Sequence, residues 1–261
     1  MGFNTIFSKY VYRGYAVLFA RPSLWRFNKV LYNCSLRGLG ILNYQGKLTG
    51  EHHFLKKYLS KVNNPIVLDV GANIGNYSKT VMEINNSATV HAFEPLPKNY
   101  EQLNQIDNIN SYNLGCSDEN GSIKFYNFEG GSTFASIYQD VIESIHKKQS
   151  IEFDIDVIKL DDFISSNDII QIDLLKIDTE GHELAVLHGA SNAIKERKMK
   201  AIHFEFNVMN VISRVFFKDI FDLLENYSFY RMLPTGLVKL DYNTIDCEIF
   251  AYQNIVAILE D

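Results

Sequence analysis

The chain has 261 residues, of which 46% are hydrophobic and 21% are charged. This is the composition of an ordinary globular protein, long enough for one large domain with an extension. The three cysteines, Cys34, Cys116 and Cys247, lie far apart without metal-binding spacing. We therefore expect a reduced, cytosolic protein, and a disulfide scaffold and a structural zinc site are excluded as interpretations.

The formal net charge of -6 conceals a basic N-terminal arm. Residues 1–50 contain seven Lys or Arg and no Asp or Glu, whereas the rest of the chain is strongly acidic. An acidic body disfavours nucleic acid as a partner, because neutralising phosphates dominates that affinity. The arm is rich in aromatic residues, which leaves two interpretations open: residues 1–35 contact an anionic membrane surface, or the arm is a helical lid packed on the domain.

From residue 64 onward, short β-branched apolar runs alternate with longer amphipathic stretches, which predicts βαβ units and a mostly parallel sheet. The predicted strands are 66–70, 88–93, 109–114, 172–177, 201–206 and 249–258. The predicted helices are 74–85, 97–107, 182–197 and 213–226. The interval 116–163 breaks this rhythm with the strand-like runs GSIKFYNF and IEFDIDVIKL and a loop at EGGST. It predicts a β-rich insertion after the third strand.

The stretch IVLDVGANIGNYS ends a strand with an acidic residue and places two glycines before a helix. Glycine lets the backbone approach a ligand, and the helix start offers free N–H groups, so the pattern is typical of a cofactor loop. It lacks the third glycine of a dinucleotide fingerprint and the lysine of a phosphate-binding Walker loop. A purely structural turn is the alternative. The loop residues are Asp69, Gly71, Ala72, Asn73 and Gly75.

Glu94 and Pro95 end the next predicted strand, and Glu94 lies 23 residues after Gly71. A carboxylate at that position can accept hydrogen bonds from both hydroxyls of a ribose. Pro95 favours an extended Glu94 and ends the strand. Because Asp69 would repel a diphosphate but suits an ammonium group, the two features favour S-adenosylmethionine as the cofactor.

Five segments, LDVGANIGNYS, HAFEPLPKNYEQL, LGCSDENGSIKFY, IKLDDF and LLKIDTEGHELAVLHGA, follow one another at the spacing of a known family. Over roughly residues 49–207 the chain resembles the FkbM-type S-adenosylmethionine-dependent methyltransferases. The resemblance implies an α/β, Rossmann-like class I methyltransferase fold, with a seven-stranded mostly parallel sheet and helices on both faces. With the basic arm inferred from composition, the expected organisation is an N-terminal basic helical arm or lid over 1–60 and a methyltransferase domain over 61–261.

The resemblance also implies roles for residues. Four loop residues would hold the methionine part of the cofactor: Asp69, Gly71, Asn73 and Gly75. Glu94 would hold the ribose hydroxyls. Three residues after the third strand would border the adenine: Cys116, Ser117 and Asp118. Residues 36–55 resemble an approach segment that we expect to cover the cofactor or acceptor pocket as a lid.

KIDTEGHE, residues 176–183, matches the family signature D-x-E-G-x-E at the end of the fourth core strand. Asp178 and Glu180 would lie beside the transferred methyl, and Glu183 would share their face. The candidate bases for the hydroxyl proton are Asp178, Glu180 and His182. A carboxylate is favoured, because His182 holds the variable position of the signature, where a solvent-facing helix residue is the simpler interpretation.

The acceptor implied by the resemblance is a hydroxyl on a sugar of a cell-surface glycan, or on a lipid-linked or secondary-metabolite molecule. Three other interpretations stay open: a nicotinamide-dependent oxidoreductase, a nucleic-acid methyltransferase and a non-catalytic nucleoside-binding module. The oxidoreductase lacks a Tyr-x-x-x-Lys pair, and the DNA amino-methylating motif is replaced by D-T-E-G. Glu205 and the signature carboxylates could together hold Mg²⁺, but no spacing fixes a geometry, so no metal is predicted.

Overall fold

The computed structural model describes residues 3–127, 135–145 and 147–260. In these ranges the strands are β1 (Ile66–Val70), β2 (Thr89–Phe93), β3 (Ile109–Tyr112), β4 (Gly115–Cys116), β5 (Gly121–Asn127), β6 (Ile151–Ile158), β7 (Leu174–Ile177), β8 (Ala201–Phe206), β9 (Tyr227–Leu233), β10 (Gly236–Leu240) and β11 (Gln253–Leu259). The helices are α1 (Phe3–Phe19), α2 (Trp25–Gly38), α3 (Glu51–Leu59), α4 (Asn76–Ile84), α5 (Pro97–Leu103), α6 (Leu160–Ser166), α7 (Glu183–His188), α8 (Ser191–Lys195), α9 (Met209–Ser213), α10 (Phe217–Leu223) and α11 (Thr244–Cys247).

The main sheet has the strand order β10-β9-β11-β8-β7-β1-β2-β3. Strands β3, β2, β1, β7 and β8 are parallel, and β11 runs antiparallel to both β8 and β9. This is the class I methyltransferase fold that the resemblance implies. The expected seven strands become eight in the described residues, because β9 continues through a two-residue turn into β10 at the sheet edge.

The hairpin of β9 and β10 was not predicted from the residue pattern. The charged Arg231 interrupts the apolar run of β9, yet its side chain is buried and donates hydrogen bonds to Gln253 Oε1 (2.8 Å) and to the carbonyl oxygen of Asp246 (2.7 Å). The residues next to an arginine in the sequence do not show whether its side chain is buried with hydrogen-bond acceptors or exposed to solvent. Only the packed neighbours distinguish the two.

Helices cover both faces of the sheet. Val67 packs with Phe54, Leu55 and Leu59 of α3 on one face, whereas its neighbour Leu68 belongs to the cluster on the opposite face. Successive strand residues point to opposite faces, so a strand buried on both sides is apolar throughout. Helix α3, inside the predicted arm of residues 1–60, thus belongs to the core of the sheet.

The predicted β-rich insertion is confirmed as a second, three-stranded sheet in the order β4-β6-β5. Strands β5 and β6 are antiparallel, and β4 runs parallel to β6. Phe125, Ile155 and Val157 form a small apolar cluster with Leu96, which follows β2. The predicted loop at EGGST, residues 129–133, lies outside the described residues. The insertion is therefore anchored beside the carboxyl end of the main sheet.

The N-terminal arm consists of α1 and α2, joined by a 3₁₀ turn at Pro22–Leu24. Tyr15 donates a hydrogen bond to Asn28 Oδ1 (2.5 Å), and Asn28 donates to the carbonyl oxygen of Phe19 (2.9 Å), so the two helices hold each other. Leu36 is the buried residue of α2. Within the described ranges, no helix is long and apolar enough to cross a membrane.

Candidate active site

The glycine loop lies where β1 ends, between β2 and β7. Gly71 and Gly75 both have φ of +81°, a left-handed conformation that residues with a Cβ adopt at a cost. A Cβ on Gly71 would overlap the carbonyl oxygen of Asp178, and one on Gly75 would overlap the side chain of Ile106. The amide nitrogens of Gly71 and Ala72 both donate to the Phe93 carbonyl oxygen. Space and backbone conformation therefore require glycine at both positions.

Asp69 stabilises this loop from the interior of the protein. Its side chain is buried and accepts a 2.6 Å hydrogen bond from Ser78 Oγ in α4. Burial raises the pKa of Asp69 to about 6, and the Ser78 hydrogen bond opposes the shift. Gly71 and Asn73 line a cavity of about 720 Å³, and the predicted loop residues outside the lining are Asp69, Ala72 and Gly75.

Glu94 joins the loops that follow β1 and β2. Its Oε2 accepts from the Asn73 amide (2.8 Å) and its Oε1 from the Leu96 amide (2.9 Å). Burial raises the pKa of Glu94 to about 7, although both backbone hydrogen bonds lower it. Glu94 and Pro95 line the cavity, and their role in binding a ribose stays a prediction. The Asn99 side chain also donates to Glu94, and a carboxylate has about four acceptor positions, so one remains for a ligand hydroxyl.

The three residues predicted to border adenine separate in space. Cys116 lines the cavity, and burial raises the pKa of its thiol, so it offers a neutral, apolar surface. Ser117 is buried outside the lining; its Oγ donates to Asp118 Oδ1 (3.0 Å) and lies 2.9 Å from His182 Nε2. Asp118 also lies outside the lining.

The small sheet supplies an apolar wall beside Cys116. Its lining side chains come from β5 and β6 and from the residues around them: Leu96, Ile123, Phe125, Ile155 and Val157. Flat apolar walls with a few convergent polar groups are typical of cofactor pockets.

Asp178 and Glu205 face the cavity above a buried lysine. Lys176 Nζ lies 3.7 Å from Asp178 Oδ2 and 3.9 Å from Glu205 Oε1. Burial lowers the pKa of Lys176, but the two carboxylates raise it by more, so the ammonium is retained. Burial raises the pKa of Glu205 to about 8, with a further contribution from Asp178. The ammonium of Lys176 therefore lies within ion-pairing distance of two carboxyl groups, those of Asp178 and Glu205.

Glu180 has a strained backbone, with φ of +53°, and its Oε2 is buried without a hydrogen-bond partner. Burial, followed by the charges of Asp178 and Glu205, raises the pKa of Glu180 well above its ordinary value. Glu180 lines the cavity, and a protonated carboxyl group at this position can act as a hydrogen-bond donor.

Glu183 lies outside the cavity lining, unlike the other acidic residues of the signature. Its Oε1 accepts from the amide of Gly181 (3.0 Å) and from both the amide and the hydroxyl of Thr179 (3.2 Å each). These donors fix the turn that carries Glu180. The geometry gives Glu183 a positioning role rather than contact with the reacting atoms.

The interpretation of His182 as a solvent-facing residue is wrong. The side chain is 9% exposed and lines the cavity, with Nε2 facing Ser117 and a buried Nδ1 that has no hydrogen-bond partner. Burial lowers the pKa of His182 to about 4, so the ring is neutral. Its orientation follows from α7, which begins at Glu183 and leaves His182 in the preceding turn.

A second group of cavity residues comes from the approach segment and from the loop before β11. The Leu42 amide donates to the Tyr252 carbonyl oxygen (2.8 Å), and the rings of Tyr44 and Tyr252 lie 4.9 Å apart between centroids. Phe250 and Asn207 line the same region. Part of the predicted lid over 36–55 thus borders the cavity.

Comparison with known proteins gives the same assignment as the geometry. Residues 69–230 match the methyltransferase FkbM domain, which is more than half of the chain. The chain belongs to the FkbM methyltransferase family. It is an S-adenosylmethionine-dependent methyltransferase.

Two curated relatives show how far their sequences differ from this chain. The chain is 23% identical to the 2-O-methyltransferase NoeI of Sinorhizobium fredii over 188 residues, 67% of this chain and 76% of NoeI. It is 27% identical to the hexuronic acid methyltransferase AglP of Haloferax volcanii over 200 residues, 74% of each chain. The solved plantazolicin methyltransferase BpumL, in complex with SAH, aligns over 94% of this chain and 93% of its own at 9% identity and a TM-score of 0.42.

The FkbM cavity fits the chemistry of S-adenosylmethionine. Gly71 lines the cavity with backbone atoms alone, and a carboxyl group such as that of Glu94, which also lines it, can accept hydrogen bonds from hydroxyl groups. The carboxyl groups suit the positive charge of a sulfonium and an ammonium, and the wall beside Cys116 suits an uncharged base. In the described part of the chain, no group of three or more His, Cys, Asp or Glu side chains could hold a metal ion.

Sequence reasoning missed Lys176 as part of the site and gave Glu205 only a conditional metal role. A lysine in the otherwise apolar strand LLKI was an available signal, because buried charges occur with partners. Tyr44, Phe250 and Tyr252 gave no such signal. Their contribution depends on contacts between segments that are about 200 residues apart.

Proposed function

We propose that this FkbM methyltransferase transfers the methyl group to a hydroxyl oxygen of a sugar, in a cell-surface glycan or in a lipid-linked or secondary-metabolite acceptor. The observation that carries the proposal is the position of Asp178 in the cavity, with Glu94 and Gly71 on one side and Glu205 on the other. The names of NoeI and AglP, a 2-O-methyltransferase and a hexuronic acid methyltransferase, support it.

The cofactor supplies an electrophilic methyl group on its sulfonium when bound. In our proposal Gly71, Asn73 and Glu94 hold it, and the buried Asp69 keeps their loop in place. Alignment of the acceptor oxygen with the methyl supplies much of the acceleration, on the order of 7–11 kcal/mol where the geometry is ideal.

Asp178 is the proposed base for the hydroxyl proton. The ammonium of Lys176 lies 3.7 Å from Asp178 Oδ2, whereas burial raises the pKa of Glu180 and of Glu205. Protonated Glu180 can donate a hydrogen bond to an acceptor oxygen and orient it. His182 is a poor candidate for the base, because its Nε2 faces Ser117 and its ring accepts a proton only near pH 4.

Calorimetric titration with S-adenosylhomocysteine, with NAD in parallel, tests the cofactor site first. We expect saturable binding of the former alone, followed by methyl transfer from labelled S-adenosylmethionine to hydroxyl compounds. Binding of NAD instead would favour the oxidoreductase, and tight cofactor binding without transfer to any acceptor would favour a non-catalytic module.

We also propose that the arm brings the enzyme to an anionic membrane surface, where lipid-linked acceptors would be available. The support is its exposed surface: Tyr10, Val17 and Trp25 are 70%, 76% and 64% exposed, and basic residues lie between such side chains. Clustered Lys and Arg beside aromatic residues favour binding to anionic headgroups.

Sedimentation with vesicles tests the arm. We expect binding to phosphatidylglycerol-containing vesicles and not to pure phosphatidylcholine, with loss of binding in an Arg21→Glu, Arg26→Glu variant. The matched control reverses Lys195 and Lys198, which lie outside the arm. Equal sedimentation of the arm variant and the control would contradict the proposal.

A further inference from the structure

Three acidic residues and one glycine form a row across the carboxyl edge of the main sheet. Strand register pairs Val70 with Phe93 and with Ile177, and Ile177 with Phe204. The next residues in each strand or loop are therefore neighbours, in the order Glu94, Gly71, Asp178, Glu205. With strands ~4.8 Å apart, the row spans roughly 14 Å from β2 to β8.

This row separates the cavity into two ends. Glu94 and Gly71, which fit the cofactor, lie at the β2 end, and Asp178 lies in the middle. Beyond Glu205 comes β11, whose Asn254 pairs with Glu205, and the loop before it carries Phe250 and Tyr252. The space over β8 and β11 is thus the part of the cavity next to Asp178 that the cofactor residues leave for an acceptor.

The charged side chains in the cavity lining all carry carboxyl groups: Glu94, Asp178, Glu180 and Glu205. Among the described residues no Lys or Arg lines the cavity, and the remaining residues, 1–2, 128–134, 146 and 261, include neither residue type. The nearby cation, Lys176, is 2% exposed and lies between two of those carboxyl groups. A carboxylate or phosphate on the entering ligand would lose its hydration in this cavity, and no cation in the lining would pair with it.

The acceptor end combines aromatic rings with hydrogen-bonding groups. Tyr44 and Tyr252 pack together with centroids 4.9 Å apart, and Phe250 lies in the same lining. Glu205 and Asn207 add oxygen and amide groups beside these rings. Aromatic faces suit the C–H face of a sugar ring, and carboxyl and amide groups suit its hydroxyls.

We infer that the acceptor sugar that enters this cavity is uncharged, and that Tyr44, Tyr252 and Glu205 form its subsite. The inference rests on the proposed sugar O-methylation and restricts it: a uronic acid or a sugar phosphate is excluded from the methylated position. The charge pattern of this chain thereby predicts a preference different from the substrate in the name of AglP.

Matched glycosides test the inference. The probes are p-nitrophenyl glycosides of glucose and galactose and the corresponding glucuronide and galacturonide, which differ from them by a carboxylate. Binding is measured by calorimetry with S-adenosylhomocysteine present, and methyl transfer from labelled S-adenosylmethionine is measured separately. We expect at least one neutral glycoside to bind about tenfold or more tightly than its uronide and to be methylated.

Two variants identify the subsite. At a pH above 8, where Glu205 is ionised, Glu205→Gln should narrow the preference for the neutral glycoside, whereas Glu225→Gln, an exposed control, should leave it unchanged. Tyr44→Ala should weaken glycoside binding severalfold while leaving S-adenosylhomocysteine binding unchanged. Since Tyr44 is 65% exposed, its replacement leaves the core intact.

The outcomes separate the two proposals. Equal or tighter binding of the uronides would overturn the inference and leave sugar methylation standing. If cofactor binds but no glycoside binds or is methylated, both sugar methylation and the uncharged subsite are wrong. An unchanged preference in Glu205→Gln together with unchanged binding in Tyr44→Ala would overturn the assigned subsite.

Discussion

Gly71 lies so close to the backbone of Asp178 that a Cβ added to Gly71 would overlap the Asp178 carbonyl oxygen. The contact joins the loop that follows β1 to the loop that follows β7, and the Asp178 amide in turn donates to the Val70 carbonyl oxygen (2.9 Å). The loop proposed to bind the cofactor and the residue proposed as the base are therefore in direct backbone contact. A change in one displaces the other.

Gly71→Ala should reduce both stability and cofactor binding. The left-handed backbone alone costs a residue with a Cβ about 1–2 kcal/mol, and the overlap with Asp178 adds to it. The control is Gly46→Ala, where an added Cβ meets nothing within 4 Å. Thermal unfolding and S-adenosylhomocysteine titration measure the two effects. Equal behaviour of both variants would mean that the loop relaxes without cost.

Glu94→Ala should weaken S-adenosylhomocysteine binding by about 1–3 kcal/mol, which is about 5- to 150-fold in the dissociation constant. The variant removes an acceptor for ligand hydroxyls and frees the amides of Asn73 and Leu96. The exposed Glu101→Ala is a matched control on the following helix. Calorimetry at one pH measures the dissociation constant of each variant. An unchanged constant for Glu94→Ala would show that Glu94 does not bind the cofactor.

Asp178→Asn should lower kcat by about 10²-fold or more while changing S-adenosylhomocysteine binding little. His182→Asn should lower kcat less, because a neutral ring that faces Ser117 has no proton-accepting role in the proposed mechanism. Steady-state kinetics with a glycoside acceptor separates the two. A greater loss in the His182 variant, or equal loss of binding and turnover in the Asp178 variant, would move the base elsewhere.

Cofactor binding should tighten as the pH rises from 6 to 8. Burial raises the pKa of Asp69 to about 6, of Glu94 to about 7 and of Glu205 to about 8, so these groups lose protons across that range. Ionised carboxylates attract the ammonium and the sulfonium, and binding should release protons. Calorimetry in buffers of different ionisation enthalpy measures the release. We expect a stronger pH dependence for S-adenosylmethionine than for S-adenosylhomocysteine, which lacks the sulfonium.

The same shifts predict the pH dependence of folding. Each of these carboxyl groups has a higher pKa in the folded protein than in the unfolded chain, so the folded protein binds more protons. The free energy of unfolding should therefore fall as the pH rises from 4.5, the ordinary value for Glu, to about 8. Urea unfolding without cofactor tests the sign, and rising stability over that interval would contradict it.

Lys176→Met should destabilise the free protein, by about 3–5 kcal/mol if the carboxyl groups stay charged. The loss should be larger at pH 8 than at pH 5, because Glu205 is protonated at the lower pH and needs no cation. The exposed Lys195→Met is the control. Urea unfolding at both pH values measures the difference. A loss independent of pH would show that the lysine acts through packing of its aliphatic stem.

The core strands could be predicted from local sequence. Strand β1 was predicted with its observed limits, because an apolar run bounded by Asn-Pro and by glycine has few other conformations available. Glu94, which follows a strand and precedes a proline, was predicted to bind a ribose; it lines the cavity, and its role in binding stays a prediction. The predicted helix 182–197 instead forms α7 and α8, separated at Gly189, whose Cβ would overlap the Ser117 carbonyl oxygen.

The contacts between charged residues could be found only in the folded structure. The βαβ order, the glycine loop and the acidic signature could be predicted from the sequence, because each depends on residues close along the chain. It could not show that Lys176 serves Asp178 and Glu205, or that His182 faces Ser117. Burial and long-range packing determine those contacts, and with them the protonation states on which the chemistry depends.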